Sequence, residues 1–248
     1  MRANVIKDFQ KITVNAVSFP QQRGTVLYAC SPCDNDAIAA NRASRTTDKI
    51  NLVSIILEHL VRMKSSPWAD RRLSSRADLP IQVVHDPLGR PQLLGECDGP
   101  AISFSEGGGR IWAALCGDEY DIGIDVAVAN EFQSEYPFHR VFHPQELQHA
   151  LRLAGGDLKK ASALLWSIKE AAVKALGCAF HLVNPRQITV YPSAEGAVGV
   201  NDGYTFPVGL SGKARVRFPI AAGRSLWVRS LPQRKMWLSI ALLNRQYR

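Results

Sequence analysis

The sequence predicts an α+β protein assembled from two halves of similar size, and three observations carry that expectation. Short β-rich stretches at 11–18 and 25–30 precede a long helical pattern from Asp34 to about Lys64. Strand patterns return at 81–85, 101–105 and 111–115, and a second run of strand, helices and strands begins near residue 121. The break near 117–121 divides an N-terminal half (1–118) from a C-terminal half (119–248) that has no sequence repeat in common with it.

Each element has a local reason. Pro20 and Gly24 separate the first two strands. In the first helix Ile50, Val53, Ile56, Leu57, Leu60 and Val61 recur at three and four, a buried stripe. Arg42, Arg45 and Lys49 precede that stripe on the exposed side, equally readable as a solvated face or as ligand contacts. The polar stretch Ser65–Asp78 reads as a loop, and Asp86-Pro-Leu-Gly89 as a turn. Gly107–Gly109 after Glu106 permits positive φ, either at a plain hairpin tip or where backbone approaches a ligand.

The strand Asp121–Val128 holds one acid, Asp125, inside an apolar run, where a lone carboxylate is costly unless paired or metal-bound. Pro144 starts a helix that runs to about Ala154, with His139 and His143 leading into it, and Gly155-Gly156 ends it. The next helix is the one the chain is organised around. Asp157 is its expected N-cap and Gly177 its left-handed stop. Leu158, Ala161, Leu165, Ile168, Ala172 and Leu176 share its apolar stripe, with Lys169 at the stripe's edge. Trp166, Glu170 and Lys174 follow another face; alone, Glu170 and Lys174 read as well as an i, i+4 surface pair. Strands are expected at 186–192, 213–218, 224–230 and 236–243.

The 248 residues are 46% hydrophobic, enough for a substantial core, and carry a net charge of +8. The charge favours an acidic partner without choosing one. It alone raises the reading of a nucleic-acid-binding protein, and no basic arm, helix-turn-helix, RNP or zinc signature accompanies it. No run approaches the ~20 apolar residues of a membrane span, and no apolar core of a signal peptide is present, so a cytoplasmic location is expected. Five cysteines do not make a disulfide framework, and Cys30-Ser-Pro-Cys33 lacks the second pair a zinc site needs.

Asp125 on a strand and Glu170 on a helix, flanked by Lys169 and Lys174, make a set suited to holding a hard cation against a phosphate. Gly123-Ile-Asp125 followed by Trp166-Ser-Ile-Lys-Glu170-Ala-Ala-Val-Lys174 resembles the signature of the 4′-phosphopantetheinyl transferases, and the layout resembles their surfactin-type (Sfp-like) branch. Gly89-Arg-Pro91, Ile102-Ser-Phe-Ser105, Gly109-Arg-Ile-Trp112 and Phe142–Leu147 are similar to further segments of that family, so the likeness covers about residues 89–178.

The resemblance implies a monomeric pseudo-dimer of two α/β halves. Its implied activity is transfer of the phosphopantetheine arm of coenzyme A to a serine of an apo acyl or peptidyl carrier protein, releasing adenosine 3′,5′-bisphosphate. Carried over, Asp125 and Glu170 match ligands of Mg²⁺ (or Mn²⁺ in its place), and Glu170 also matches the residue that takes the serine proton. Lys169 and Lys174 match pyrophosphate contacts, with Lys174 counted in the catalysis. Gly89, Arg90 and Pro91 match the segment along the adenine, Ser105 a nucleotide-phosphate contact, and Arg45 and Lys49 further substrate contacts. No nucleic-acid or membrane partner is implied.

Two departures stand out. Position 127 is Ala where much of the family has a second acid, and Glu106 stands where the family has a His that meets the 3′-phosphate of coenzyme A. Either the glycine loop shifts the register, or recognition of that phosphate is weakened or moves to Arg45, Lys49 or Arg90. The same two positions motivate a reading as a catalytically impaired paralogue that binds a nucleotide or carrier protein.

Overall fold

Three antiparallel sheets account for every strand in a computed structural model of the protein, which describes residues 12–19, 24–33, 42–62, 81–94, 100–117, 119–193, 203–219 and 226–245. The four-stranded sheet has the order β1 (Asn15–Phe19), β2 (Gly24–Pro32), β6 (Arg110–Cys116), β5 (Ala101–Gly107). The five-stranded sheet has the order β7 (Tyr120–Val128), β11 (Met236–Asn244), β10 (Leu226–Gln233), β9 (Tyr204–Leu210), β8 (Ile188–Val190). The small hairpin β3 (Val83–His85) and β4 (Pro91–Leu93) stands apart, joined by the expected turn, in which the Gly89 N–H donates to the Asp86 carbonyl at 2.9 Å.

Period-two burial stacks the molecule into layers. On β2 and β6, Leu27, Ala29, Ile111, Ala113 and Leu115 face helix α1 (Arg42–Arg62), burying its Leu52, Val53, Ile56 and Leu57. The alternate residues Val26, Tyr28, Trp112 and Ala114 face the other sheet, against Ile122, Ile124 and Val126 of β7 and Leu238, Ile240 and Leu242 of β11. The remaining face of the five-stranded sheet is covered by α2 (Phe138–Val141), α3 (Pro144–Leu153) and the central helix α4 (Leu158–Ala175). The mixed α+β class is as expected.

Helix α4 begins and ends as its sequence requires. The Asp157 carboxylate accepts the Lys160 N–H at 3.1 Å. At the other end Gly177 has φ 75°, the Gly177 N–H donates to the Lys174 carbonyl and the Cys178 N–H to the Val173 carbonyl, a Schellman stop. Gly123 of β7 lies directly under this helix, where a Cβ would overlap the Ala171 carbonyl and the Ala175 nitrogen. The glycine is what lets α4 lie against β7.

One expectation is corrected. Residues 213–218, whose alternation reads as a strand, lie mostly in a short helix, α5 (Gly212–Arg217), which buries Ala214 and leaves Val216 80% exposed. The strand before that helix is β9, which Pro207 and Gly209 conceal in the sequence. Pro207 is tolerated because its ring nitrogen lies beyond the last paired residue of β8, where only its carbonyl is used, accepting the Tyr191 N–H at 3.0 Å. Cys30 packs into the core between the sheets and Cys33 into the core under α1, so the CxxC thiols point to opposite faces and share neither a bond nor an ion. The loop expectation at 65–78 and the first residues of the expected helix lie outside the described residues.

Gly123→Ala is expected to destabilise the fold by about 3 kcal/mol, because helix and strand must separate to admit the methyl group. Urea unfolding of the purified variant measures this directly.

Candidate functional site

β5 and β7 are the edge strands of their sheets and run side by side, yet side chains join them where a backbone ladder would be expected. The Ser103 hydroxyl accepts the Ile124 N–H at 3.1 Å, and the Ser105 hydroxyl accepts the Val126 N–H at 3.2 Å. The Ser105 hydroxyl donates in turn to Asp125 Oδ1 at 3.0 Å. Lys174 Nζ enters the same seam from α4, donating to the Phe104 carbonyl at 3.3 Å, the Ile124 carbonyl at 3.0 Å and Asp125 Oδ1 at 2.8 Å. Asp125 is 7% exposed and thus has the partners that its burial demands.

Glu170, one helical turn before Lys174, feels the charge of the same acid. Its carboxyl is pushed up to about 7, first by burial and then by the Asp125 charge, with Lys174 acting in the opposite direction. Tyr136 stands beyond it in a cluster of rings with Phe132, Phe138, Phe142 and Trp166. Its hydroxyl is raised to about 12 by burial and by the Glu170 charge. Glu131, on the turn after β7, is a third acid nearby; burial raises its carboxyl most, a Val128 hydrogen bond lowers it, and the Asp125 charge adds to the rise. Neither Tyr136 nor Glu131 stood out in the sequence, since a polar connecting segment gives no periodic signal.

A cavity of about 260 Å³ opens beside the seam, lined among others by Lys49, His85, Gly89, Arg90, Pro91, Phe104 and Lys174. The expected Gly89-Arg-Pro91 segment is therefore one of its walls. The Arg90 guanidinium is already engaged, however, donating to Asp121 Oδ1 and to the Ala175 carbonyl, both at 2.7 Å. Asp121 also accepts from Arg245 Nε at 2.7 Å. Lys49 lies 5.7 Å over the Phe104 ring, and its Nζ is 2.9 Å from Glu106 Oε1. Arg45 Nη1 donates to the other Glu106 oxygen at 3.0 Å.

The structure moves two expected substrate contacts away from the cavity. Lys169 is wholly buried, with Nζ 3.0 Å from Glu146 Oε2, 2.6 Å from the Ile188 carbonyl and 3.0 Å from the Pro185 carbonyl. Glu146 additionally accepts the Val190 N–H at 2.7 Å and the His143 N–H at 2.9 Å. Lys169 is thus a structural tie between α4, α3 and β8; burial lowers its amine's pKa, and the Glu146 charge works against that. Ser105, expected on a phosphate, is 6% exposed and spends its hydroxyl on Asp125 and the β7 backbone. Ala127 is buried in the core under α4, so no acid is supplied from that position.

Asp125 and Glu170 are near enough for the Asp125 charge to act on the Glu170 carboxyl. Among the described residues no group of three or more His, Cys, Asp or Glu side chains converges on one point. Burial does most to raise the Glu170 carboxyl, and the Asp125 charge adds to the rise.

The fold and site define an α+β protein in which an aspartate–lysine pair at a seam between two sheets adjoins a cleft walled by Gly89–Pro91. Residues 121–217, from β7 through α5, match the family model described as "ACPS: 4'-phosphopantetheinyl transferase superfamily". Among solved structures, an apo-ACPS structure and an ACPS–CoA complex from Chronobacterium ammoniagenes share 22% and 21% identity. Each alignment covers 50% of this chain, and 95% and 96% of theirs, at a TM-score of 0.40. A holo-ACP synthase from Plasmodium yoelii shares 20% identity over 50% of this chain and 92% of its own, with a TM-score of 0.38. Likeness at this level carries no conclusion about substrate. No curated protein matches the chain. No described helix is long and apolar enough to cross a membrane.

The two lysines should separate experimentally. Lys169→Met is expected to cost about 3 kcal/mol of stability by leaving buried Glu146 without its cation, read from urea unfolding. Lys169→Met combined with Glu146→Gln should recover part of that loss.

Proposed function

We propose that the protein transfers the 4′-phosphopantetheine arm of coenzyme A to a serine of an apo carrier protein, and that it does so as a surfactin-type, two-half monomer. The observation that carries the proposal is the Asp125–Lys174 pair at the β5–β7 seam, with Glu170 within reach of both charges, beside a cleft walled by Gly89–Pro91. The superfamily match over residues 121–217 gives that arrangement its chemical direction.

Asp125 and Glu170 would hold Mg²⁺, which supplies stabilisation of the charge that builds on the diphosphate as its P–O bond breaks. Lys174 neutralises further phosphate charge as a point cation. The Gly89–Pro91 segment lies along the nucleotide, and the Arg90 links to Asp121 and the end of α4 keep that wall in place. Glu170, with its carboxyl near 7, is poised to take the proton from the attacking serine directly or through a water. The bond formed is serine oxygen to phosphorus, and the leaving group is the adenosine bisphosphate.

Ala127 and the pairing of Glu106 favour a second reading, a nucleotide- or carrier-binding module without transfer. Incubation with an apo carrier protein, coenzyme A and Mg²⁺ decides between them by the mass gained on the carrier. A mass gain of one phosphopantetheine is expected; coenzyme A binding with no mass gain establishes the second reading instead.

Asp125→Asn, Glu170→Gln and Lys174→Met are each expected to lower kcat/KM by about 100-fold or more, measured by the same mass gain over time. Mg²⁺ affinity has a definite pH direction. The metal-free Glu170 carboxyl is raised, so it is protonated below about 7 and must lose that proton to ligate. Calorimetric Mg²⁺ affinity should therefore rise with pH up to about 7 and level off above it, with proton release on the acid side.

A further inference from the structure

We propose that Glu106 sets the choice of pantetheine donor, favouring a nucleotide whose only phosphates are its diphosphate and making an added ribose phosphomonoester nearly worthless for binding. The proposal rests on the transferase reading above and names the donor class for that same cleft.

Every cation of the cleft is already matched with an acid. Lys174 lies on Asp125, Arg90 on Asp121, and Lys49 on Glu106. The three pairs differ in what can part them. Asp125 has a competing use with Glu170 for a divalent ion, which would free Lys174 for the diphosphate. Asp121 is buried and shared between Arg90 and Arg245, so that pair stays closed. Glu106 bridges two cations, one carboxylate oxygen on Arg45 and the other on Lys49.

The bridge stands at the Lys49 side of the cleft. Lys49 lines the cleft at Phe104, while Lys174 holds the backbone carbonyl of the same residue, so the two lysines mark two anion positions on either side of one strand. At the Lys174 position the acid can be drawn off. At the Lys49 position it cannot be without exposing a phosphomonoester dianion to Glu106 a few ångströms away, which removes most of the attraction of Arg45 and Lys49. The bridge does little for folding, since its members are a third to a half exposed and such pairs contribute little stability. An acid that is neither buried nor needed for the fold, and that cancels two cations at a ligand cleft, acts on selectivity.

The test is calorimetry with Mg²⁺ of the whole protein and of Glu106→Gln, using coenzyme A and 3′-dephospho-coenzyme A as probes. The unchanged protein should bind the two within about threefold of each other, and Glu106→Gln should move the ratio of dissociation constants about tenfold towards coenzyme A. Glu106→His should move it further in the same direction. Coenzyme A bound more than tenfold tighter by the unchanged protein, or a ratio that Glu106→Gln leaves where it was, overturns the proposal. Binding of neither probe overturns it together with the transferase reading. The expected ratios without mass gain on a carrier protein overturn the transferase reading alone.

Discussion

The Lys174 amine, lodged between two strands that belong to different sheets, is the interaction on which the site's geometry depends. Edge strands brought side by side would normally complete a ladder. Here Ser103, Ser105 and Lys174 supply the bonds from their side chains. Such a junction obliges each buried polar group to find a partner. Asp125 does so by accepting from both Ser105 and Lys174, which fixes its position more tightly than either bond would. The residues that join the sheets are thus the residues that orient the acid, so the seam and the site stand or fall together.

Helix α4 performs two tasks with consecutive residues. Ser167 donates to the Leu164 carbonyl and meets Ser239 of β11 at 2.7 Å, and Ser239 meets Ser230 of β10 at 2.8 Å, all three fully buried. Small hydroxyls let the helix approach the sheet closely while satisfying one another. Lys169 ties the far side to α3 and β8 through Glu146. With the helix thus fixed in depth by Gly123 and in rotation by Ser167 and Lys169, Glu170 and Lys174 have one direction left to face. A run of residues that reads as one chemical motif is divided between packing and chemistry.

That division also explains what could be read from the chain beforehand. The caps at Asp157 and Gly177, the hairpin glycines and the period-two strands of β6, β7 and β11 are local signals, and the structure follows them. That Asp125 needs a partner was legible, because an acid in an apolar strand is costly alone, and Ser105 and Lys174 supply it. Lys169 was not legible as structural: its Glu146 lies on another helix, and a buried lysine looks alike in sequence whether it serves a ligand or an ion pair. β9 was hidden because Pro207 is compatible with a strand only when a neighbour ends early, a fact of topology. In 213–218 alternation misled, since a helix of one and a half turns can bury a single Ala and need no stripe.

The basic surplus of the chain proves a poor guide to the cleft. A net charge of +8 invites the picture of an open positive pocket awaiting an anion. The lining cations are instead compensated one by one, by Asp125, Asp121 and Glu106. An anionic ligand entering such a cleft gains little from unpaired charge and must exchange partners with an acid already in place. Exchange is favourable only where the displaced carboxylate has somewhere better to go. Recognition in this arrangement follows from which ion pair can open, so selectivity resides in the carboxylates as much as in the lysines they hold.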